Sequence, residues 1–267
     1  MTTLRKYKNK FLIAVAVIAL VIVSFFIYGY SANGYTFHNI QIKSSTLPKD
    51  FNNFTIAYFS DLHLKSEQDI TLFKKITDDL NKKNYNMVLF GGDLYEKDII
   101  SAAKVQKIIK SIKSSYGKFA VLGDEDQTHK SEVTQILNEG GFEVLSDASR
   151  TVYYKKSQIT LTGYSIQATK PLTKSTNYTV SLSHYPDFFK ETSKQEDLHI
   201  SGHSGGGYIY LPFIGSLYKD SHCKTYHHGS YQKDKATLLV SNGLGLKKDL
   251  HMKFLAKNEV LLITLKN

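Results

Sequence analysis

Apolar positions along the chain follow two rhythms. Short runs bounded by turn residues, at 37–42 (FHNIQI), 54–59 (FTIAYF), 87–91 (MVLFG) and 118–122 (KFAVL), have the length and side-chain types of strands. Between them the spacing turns helical, first at Ile70, Phe73, Ile76 and Leu80, then over 99–112, then at Val133, Ile136 and Leu137. This alternation predicts βαβ units with parallel pairing. Beyond them the chain reads as strands at 142–145, 151–155, 158–164, 178–183, 198–201, 236–240 and 259–265, with one helix near 186–194. A two-sheet sandwich with flanking helices accommodates both halves. No Pro/Ser-rich linker, low-complexity tract or repeat interrupts residues 31–267, so one domain is the simplest reading.

One run fits neither rhythm. Residues 11–28, FLIAVAVIALVIVSFFIY, are uncharged, and at ~1.5 Å per helical residue they reach about 27 Å, close to a bilayer's hydrocarbon thickness. The run exceeds the ~7–15 apolar residues of a signal peptide, and Tyr30 is bulky where cleavage wants a small side chain. The expectation is an uncleaved, single-pass transmembrane helix within residues 1–30, rather than a signal peptide or a buried core helix. Arg5, Lys6, Lys8 and Lys10 precede it with no acid among them, which predicts a cytoplasmic N-terminus and an extracytoplasmic domain over 31–267.

Charge and composition narrow the chemistry. The chain carries 34 Lys+Arg against 24 Asp+Glu, net +10, and the N-terminal cluster supplies part of that excess. The remainder is dispersed, which suits a surface near anionic lipid or cell-wall polymer and argues against nucleic acid. A single cysteine, Cys223, excludes an intramolecular disulfide and any Cys-rich zinc or iron–sulfur site. A metal would have to use histidine and carboxylate.

Those residues recur just after strands. Asp61 and His63 follow FTIAYFS, Asp93 follows MVLFG, and Asp124, Glu125 and Asp126 follow KFAVL; His184 and His203 follow YTVSLS and LHIS. Open α/β sheets gather ligands at the carboxyl ends of their strands, and imidazole with carboxylate suits Zn, Mn or Fe. Each residue alone has a plainer reading, an Asp as a helix N-cap and a lone His as structural. Their recurrence after five strands is what caps do not explain.

In order, Asp61-Leu62-His63, Gly92-Asp93, Gly123-Asp124-Glu125-Asp126, His184 and Gly202-His203-Ser204-Gly205 resemble the D-x-H, G-D, G-N-H-D/E, H and G-H-x-H pattern of the calcineurin-like metallophosphoesterases. The membrane-anchored subgroup, with GHTHGGQ, LP and SxGLG, is similar to GHSGGGY, Leu211-Pro212 and Ser241–Gly245 here. The resemblance implies a four-layer α/β/β/α sandwich behind the N-terminal helix and one or two divalent ions (Mn, Zn, Fe or Mg). It implies Asp61 and His63 on the first ion, Asp93 shared, and Asp124, His184 and His203 on the second. The implied activity is hydrolysis of a phosphoester, lipid or envelope phosphates among them, at the outer membrane face.

Three positions depart from the pattern. Gly205 stands where the last histidine ligand belongs, and His222, His227 or His228 would have to fold back to replace it. Asp124 replaces Asn and keeps an oxygen ligand. Glu125 replaces the histidine that the resemblance implies stabilises the phosphoryl group or protonates the leaving oxygen; ionised, it repels phosphate. The alternative is therefore a degenerate, non-catalytic member holding one metal or an anionic ligand. Three further features have plain readings: Gly205–Gly207 as a flexible turn, Ser181 and Ser183 as strand residues, and the cluster Tyr208, Tyr210, Leu211, Phe213, Ile214, Leu217, Tyr218 as core. An exposed aromatic loop gripping a lipid-like substrate is the other reading of that cluster.

Overall fold

The computed structural model describes residues 2–29, 34–211, 213–217, 219–247 and 253–267. Helix α1 (Thr2–Gly29) comes first, then β1 (Tyr35–Lys43), β2 (Thr55–Phe59), α2 (Glu67–Leu80), β3 (Met87–Phe90), α3 (Ala102–Ser111), β4 (Lys118–Ala120), α4 (Lys130–Glu139) and β5 (Glu143–Val144). The second half holds β6 (Ala148–Tyr154), β7 (Ser157–Gly163), β8 (Thr179–Ser183), α5 (Phe189–Thr192), β9 (Leu198–Ser201), β10 (Tyr210–Leu211), β11 (Gly215–Ser216), β12 (Gly229–Lys233), β13 (Ala236–Val240) and β14 (Asn258–Lys266).

Two six-stranded sheets form, in the orders β1-β14-β2-β3-β4-β5 and β12-β13-β9-β8-β7-β6. Strands β2 to β5 pair in parallel, as the strand–helix alternation requires, with Ile56 opposite Met87 and Phe119 opposite Glu143. The last strand, β14, lies antiparallel to β2 and parallel to β1. Alternation along each strand sorts side chains into layers. Ile56, Tyr58, Met87 and Leu89 meet Leu161, Val180, Leu182, Ile200 and Leu239 between the sheets. Ala57, Phe59, Val88 and Phe90 instead pack on Ile70, Phe73, Val105, Ile109, Val133 and Leu137 of α2 to α4. On the outer face of the second sheet, Leu238 and Val240 pack against Phe189 of α5. The layering is the α/β/β/α sandwich.

Some elements differ from the sequence reading. Strand β12 has the polar sequence GSYQK and forms an edge only by pairing with β13, so no apolar rhythm announces it. The helix near 186–194 shortens to a 3-10 turn begun by Pro186 and the single turn of α5. Asp61 is not the cap of α2: Ser66 is, accepting the Asp69 N–H at 3.2 Å.

The transmembrane expectation is not confirmed by the helix as described. Helix α1 exists, and its apolar side chains, Phe11, Ile13, Ile18, Leu20 and Val21 among them, are exposed. Among the described residues, however, no helix is long and apolar enough to cross a membrane. The side chains at 25, 26 and 28 of the expected span lie outside the described residues, and the stretch 11–24 reaches only about 21 Å at ~1.5 Å per residue.

Candidate metal centre

The carboxyl ends of β2, β3, β4, β8 and β9 carry every expected ligand. Four of these residues hold left-handed backbone, with φ of 54° at Asp61, 44° at His63, 58° at Asp93 and 67° at His203. Each such residue costs ~1–3 kcal/mol, and such strain persists only where surroundings overdetermine it. Here the Asp61 N–H donates to the Gly92 carbonyl and the Leu62 N–H to the Asp93 carbonyl, both at 2.9 Å. The buried Asp126 carboxylate accepts the N–H groups of Asp93, Leu94 and Gly123 at 2.8, 2.9 and 2.8 Å. Burial and the Asp93 charge push Asp126 up to about 6, against those three hydrogen bonds. Any side chain at Gly123 would strike the Asp93 carboxylate, so this close approach requires glycine.

Two ligand clusters result at these strand ends, and a third group, His203, Asp220 and Cys223, shares His203 with them. Asp93, Asp124, His184 and His203 offer atoms within 4.8 Å of one another, and so do Asp61, His63 and Asp93, so Asp93 belongs to both. Each histidine turns one ring nitrogen away from the centre. His184 Nδ1 donates to the Gly91 carbonyl at 2.7 Å, His63 Nδ1 lies 2.7 Å from Glu96 Oε2, and His203 Nε2 lies 2.5 Å from Asp220 Oδ2. The last two contacts are ion-pair distances with poor hydrogen-bond alignment. Such outer partners orient metal-binding imidazoles.

The other ring nitrogens converge. His184 Nε2 is 2.9 Å from Asp124 Oδ1 and 3.3 Å from Asp93 Oδ2, and His203 Nδ1 is 3.1 Å from His184 Nε2. Two lone pairs cannot face each other at that distance unless a proton or a cation lies between them. His63 Nε2 and Asp93 Oδ2, 3.7 Å apart, are buried without a hydrogen bond. The donor set therefore fits divalent cations. Burial opposes charge on His184, yet the Asp93 and Asp124 carboxylates raise it well above the ordinary imidazole value. Asp124 shows the converse: burial works against ionisation, and His184 and His203 hold it far below the usual carboxylate range.

The departures have structural causes. At Gly205, φ is 56°, and an added Cβ would meet the Tyr208 ring at 2.5, 2.7 and 2.8 Å. The buried Tyr208 thus occupies the space a side chain at position 205 would need. Gly205–Gly207 form a buried turn kinked at Gly206, whose φ is 64°. None of the three replacement histidines joins the first cluster among the described residues. His222 stacks on Tyr185 (3.9 Å, 6°) and His228 Nδ1 lies 2.8 Å from Asn242 Oδ1. His227 is held below its ordinary value by burial. Asp61 spends its carboxylate on the His203 N–H at 2.9 Å and the Ser60 hydroxyl at 2.5 Å. The backbone N–H of Glu125 donates to Asp93 Oδ1 at 3.0 Å, while burial and then the Asp93 and Glu96 charges raise its side chain's pKa.

Sequence reasoning missed Glu96, Asp220 and Lys247. Lys247 Nζ is 3.6 Å from Asp124 Oδ2; burial lowers its pKa, but Asp124, Asp93, Asp61 and Asp220 raise it further. No spacing marks these residues, although Lys247 does lie two residues past the SxGLG segment. Ser181 and Ser183 are strand residues of β8, and Ser183 Oγ lies 2.7 Å from the buried His199 Nε2. The expected aromatic cluster divides: Tyr208 is buried, Tyr210 and Leu211 are half-buried, Phe213, Ile214 and Leu217 are exposed, and Tyr218 lies outside the described residues.

No family model matches the chain. It is 28% identical over 240 residues, 85% of this chain and 84% of the relative, to the uncharacterized metallophosphoesterase YkuE of Bacillus subtilis (strain 168). It is 22% identical over 204 residues, 72% of this chain and 75% of the relative, to the phosphodiesterase YaeI of Escherichia coli (strain K12). A transmembrane protein with metallophosphoesterase domain from Danio rerio is 22% identical over 254 residues, 85% of this chain and 56% of that protein. These relatives support the calcineurin-like metallophosphoesterase family and a hydrolase. The sandwich and its ligand clusters are consistent with both.

Proposed function

We propose that the chain is a metal-dependent phosphoester hydrolase held at the outer face of a membrane and acting on lipid or envelope phosphates. The Asp93 carboxylate carries this reading. Its Oδ1 is pinned by the Glu125 N–H at 3.0 Å, while its buried Oδ2 lies between His63 Nε2 at 3.7 Å and His184 Nε2 at 3.3 Å. That is the placement of a carboxylate shared by two ligand sets.

Asp93, Asp124, His184 and His203 would hold one ion, and Asp61, His63 and Asp93 a second. Bound there, divalent ions supply Lewis acidity and a water of lowered pKa. The chain's own groups do the rest. Gly91, Glu96 and Asp220 keep the imidazoles aimed, and Lys247 brings a cation to meet a phosphoryl oxygen. Glu125 repels an anionic substrate when ionised, and its raised pKa softens that repulsion.

The membrane location is supported by the exposed apolar face of α1, by the basic residues before it, and by the relative named as a transmembrane protein. Protease added to intact cells should digest residues 31–267; full protection would overturn the orientation. For the reaction, the full chain is assayed on bis-p-nitrophenyl and p-nitrophenyl phosphate with Mn, Zn, Mg and Ni titrated and bound metal counted. Turnover abolished by Asp93→Ala and by His203→Ala supports a hydrolase. One observation favours a second reading, a non-catalytic binder of one ion: the Tyr208 ring beside Gly205 leaves the first cluster three ligands. One bound ion without turnover would select it.

A further inference from the structure

Outside α1, the exposed large apolar side chains among the described residues are Tyr153, Phe213, Ile214 and Leu217, at 68%, 108%, 71% and 58%. The last three share one short hairpin, in which Tyr210 pairs with Ser216 and Leu211 with Gly215. Both its ends are tied to the metal centre. On the incoming side, the buried Gly205–Gly207 turn and Tyr208 follow directly from His203. On the outgoing side, the Leu217 N–H donates to the Ile209 carbonyl at 2.9 Å, and Asp220 reaches back to His203 Nε2 at 2.5 Å. Three extended residues span at most about 11 Å, so Leu217 lies within that distance of Asp220, the carboxylate behind His203.

An apolar tip next to a phosphate-handling centre needs an occupant, and the chain itself indicates which. Helix α1 is apolar on every side over 11–24, its side chains are exposed, and none of the buried core clusters includes them. Such a helix is covered either by a protein core or by lipid. Exposed Lys219 and Lys224 follow the hairpin in sequence, and their charge complements anionic headgroups. Aliphatic and aromatic tips with flanking lysines are the composition of interfacial segments.

We propose that the β10–β11 hairpin dips into the bilayer interface, with Phe213, Ile214 and Leu217 at the acyl boundary and Lys219 and Lys224 at the headgroups. The metal centre is then presented to phosphate groups of the same leaflet. This rests on the membrane reading given above, and it adds a second contact that fixes the orientation of a tethered domain.

The chain contains no tryptophan, so Phe213→Trp and Leu217→Trp each install a sole reporter, and Tyr153→Trp on the edge strand β6 is the control. The full-length variants are reconstituted in vesicles of phosphatidylglycerol and phosphatidylcholine, with and without brominated acyl chains, and vesicle association is checked by flotation. Blue-shifted emission quenched by brominated lipid in the first two variants, but not in the control, is the expected result. Floating protein whose three reporters are equally unquenched overturns the hairpin contact and leaves the membrane reading intact. Failure to float overturns both. A blue shift that depends on protein concentration and ignores brominated lipid assigns the surface to a second copy and likewise overturns the proposal. The readout needs no turnover, so an inactive protein with a quenched hairpin would count against the hydrolase alone.

Discussion

Gly205→His restores the histidine that the family pattern carries, and the structure predicts that it damages the site. Two costs add. Position 205 holds φ of 56°, and a left-handed non-glycine residue costs ~1–2 kcal/mol. Its Cβ would also enter the Tyr208 ring at 2.5–2.8 Å, and overpacking a filled core costs ~1–3 kcal/mol. The sum, about 2–5 kcal/mol, corresponds to a fall in Tm of roughly 5–15 °C for a domain of this size. Thermal melts of the full chain, with and without Mn, read it directly. Tyr208→Ala separates the two parts, because in the double variant only the steric cost is relieved. A double-mutant cycle should therefore return a coupling of ~1–3 kcal/mol between the positions. An unchanged Tm for Gly205→His, with a second tightly bound ion, would refute the reasoning: Tyr208 would then yield cheaply, and Gly205 would be a simple loss.

Asp220→Asn removes the charge that holds His203 Nε2 and should weaken binding of one ion by about 10–100-fold, measured by calorimetric titration; outer-partner losses have that size. Lys247→Met, 3.6 Å from Asp124 at its closest, should leave metal stoichiometry unchanged and lower kcat/KM by roughly 10–100-fold, the worth of a ~1.5–3 kcal/mol charge-assisted contact. The buried Lys253 is pushed down to about 8 from 10.5 by burial, while its ammonium donates to the Asn242 carbonyl at 2.5 Å. Between those two values the unfolded chain binds more protons than the folded one, so this lysine makes stability rise with pH across that window and stay level below it. Denaturant melts at several pH values, wild type against Lys253→Met, should show a smaller rise in the variant than in the wild type.

Much of this centre was readable in sequence because backbone geometry places it. A strand that buries both faces, as β3 does with Met87 to Phe90, must end in a polar turn, and in a parallel sheet those turns share one edge. Asp61, Asp93, Asp124, His184 and His203 could therefore be grouped before any distance was known. Glu96, Asp220 and Lys247 could not, since no periodicity links them to their partners. Asp220 meets His203 only after the β10–β11 hairpin has closed. Position 205 was legible as a missing ligand but not as a packing site, because the tyrosine that fills it is named only by tertiary contact. Strand β12 was missed for the reason edge strands usually are: half of its surface faces water, so its residues need not alternate.

The features of segment 205–220 do not act independently. Gly205 lets the Tyr208 ring pack where a ligand would stand, and Tyr208, itself at φ of 53°, accepts the Phe254 N–H at 2.7 Å through its carbonyl. Phe254 in turn accepts the Tyr210 N–H at 2.9 Å and so fixes the start of the β10–β11 hairpin. The hairpin then exposes its apolar tip and returns Asp220 to His203. One segment, 205–220, thus removes a donor from the first cluster, adds a carboxylate behind a ligand of the second, and builds the only apolar protrusion beside the centre among the described residues. Because these three features share Tyr208, its replacement by alanine should loosen all three together. Weaker metal binding through Asp220 and faster hydrogen exchange across 208–217 should then appear in the same variant. Their separation, with exchange altered but metal affinity intact, would mean that Asp220 is held by the 220–225 loop alone.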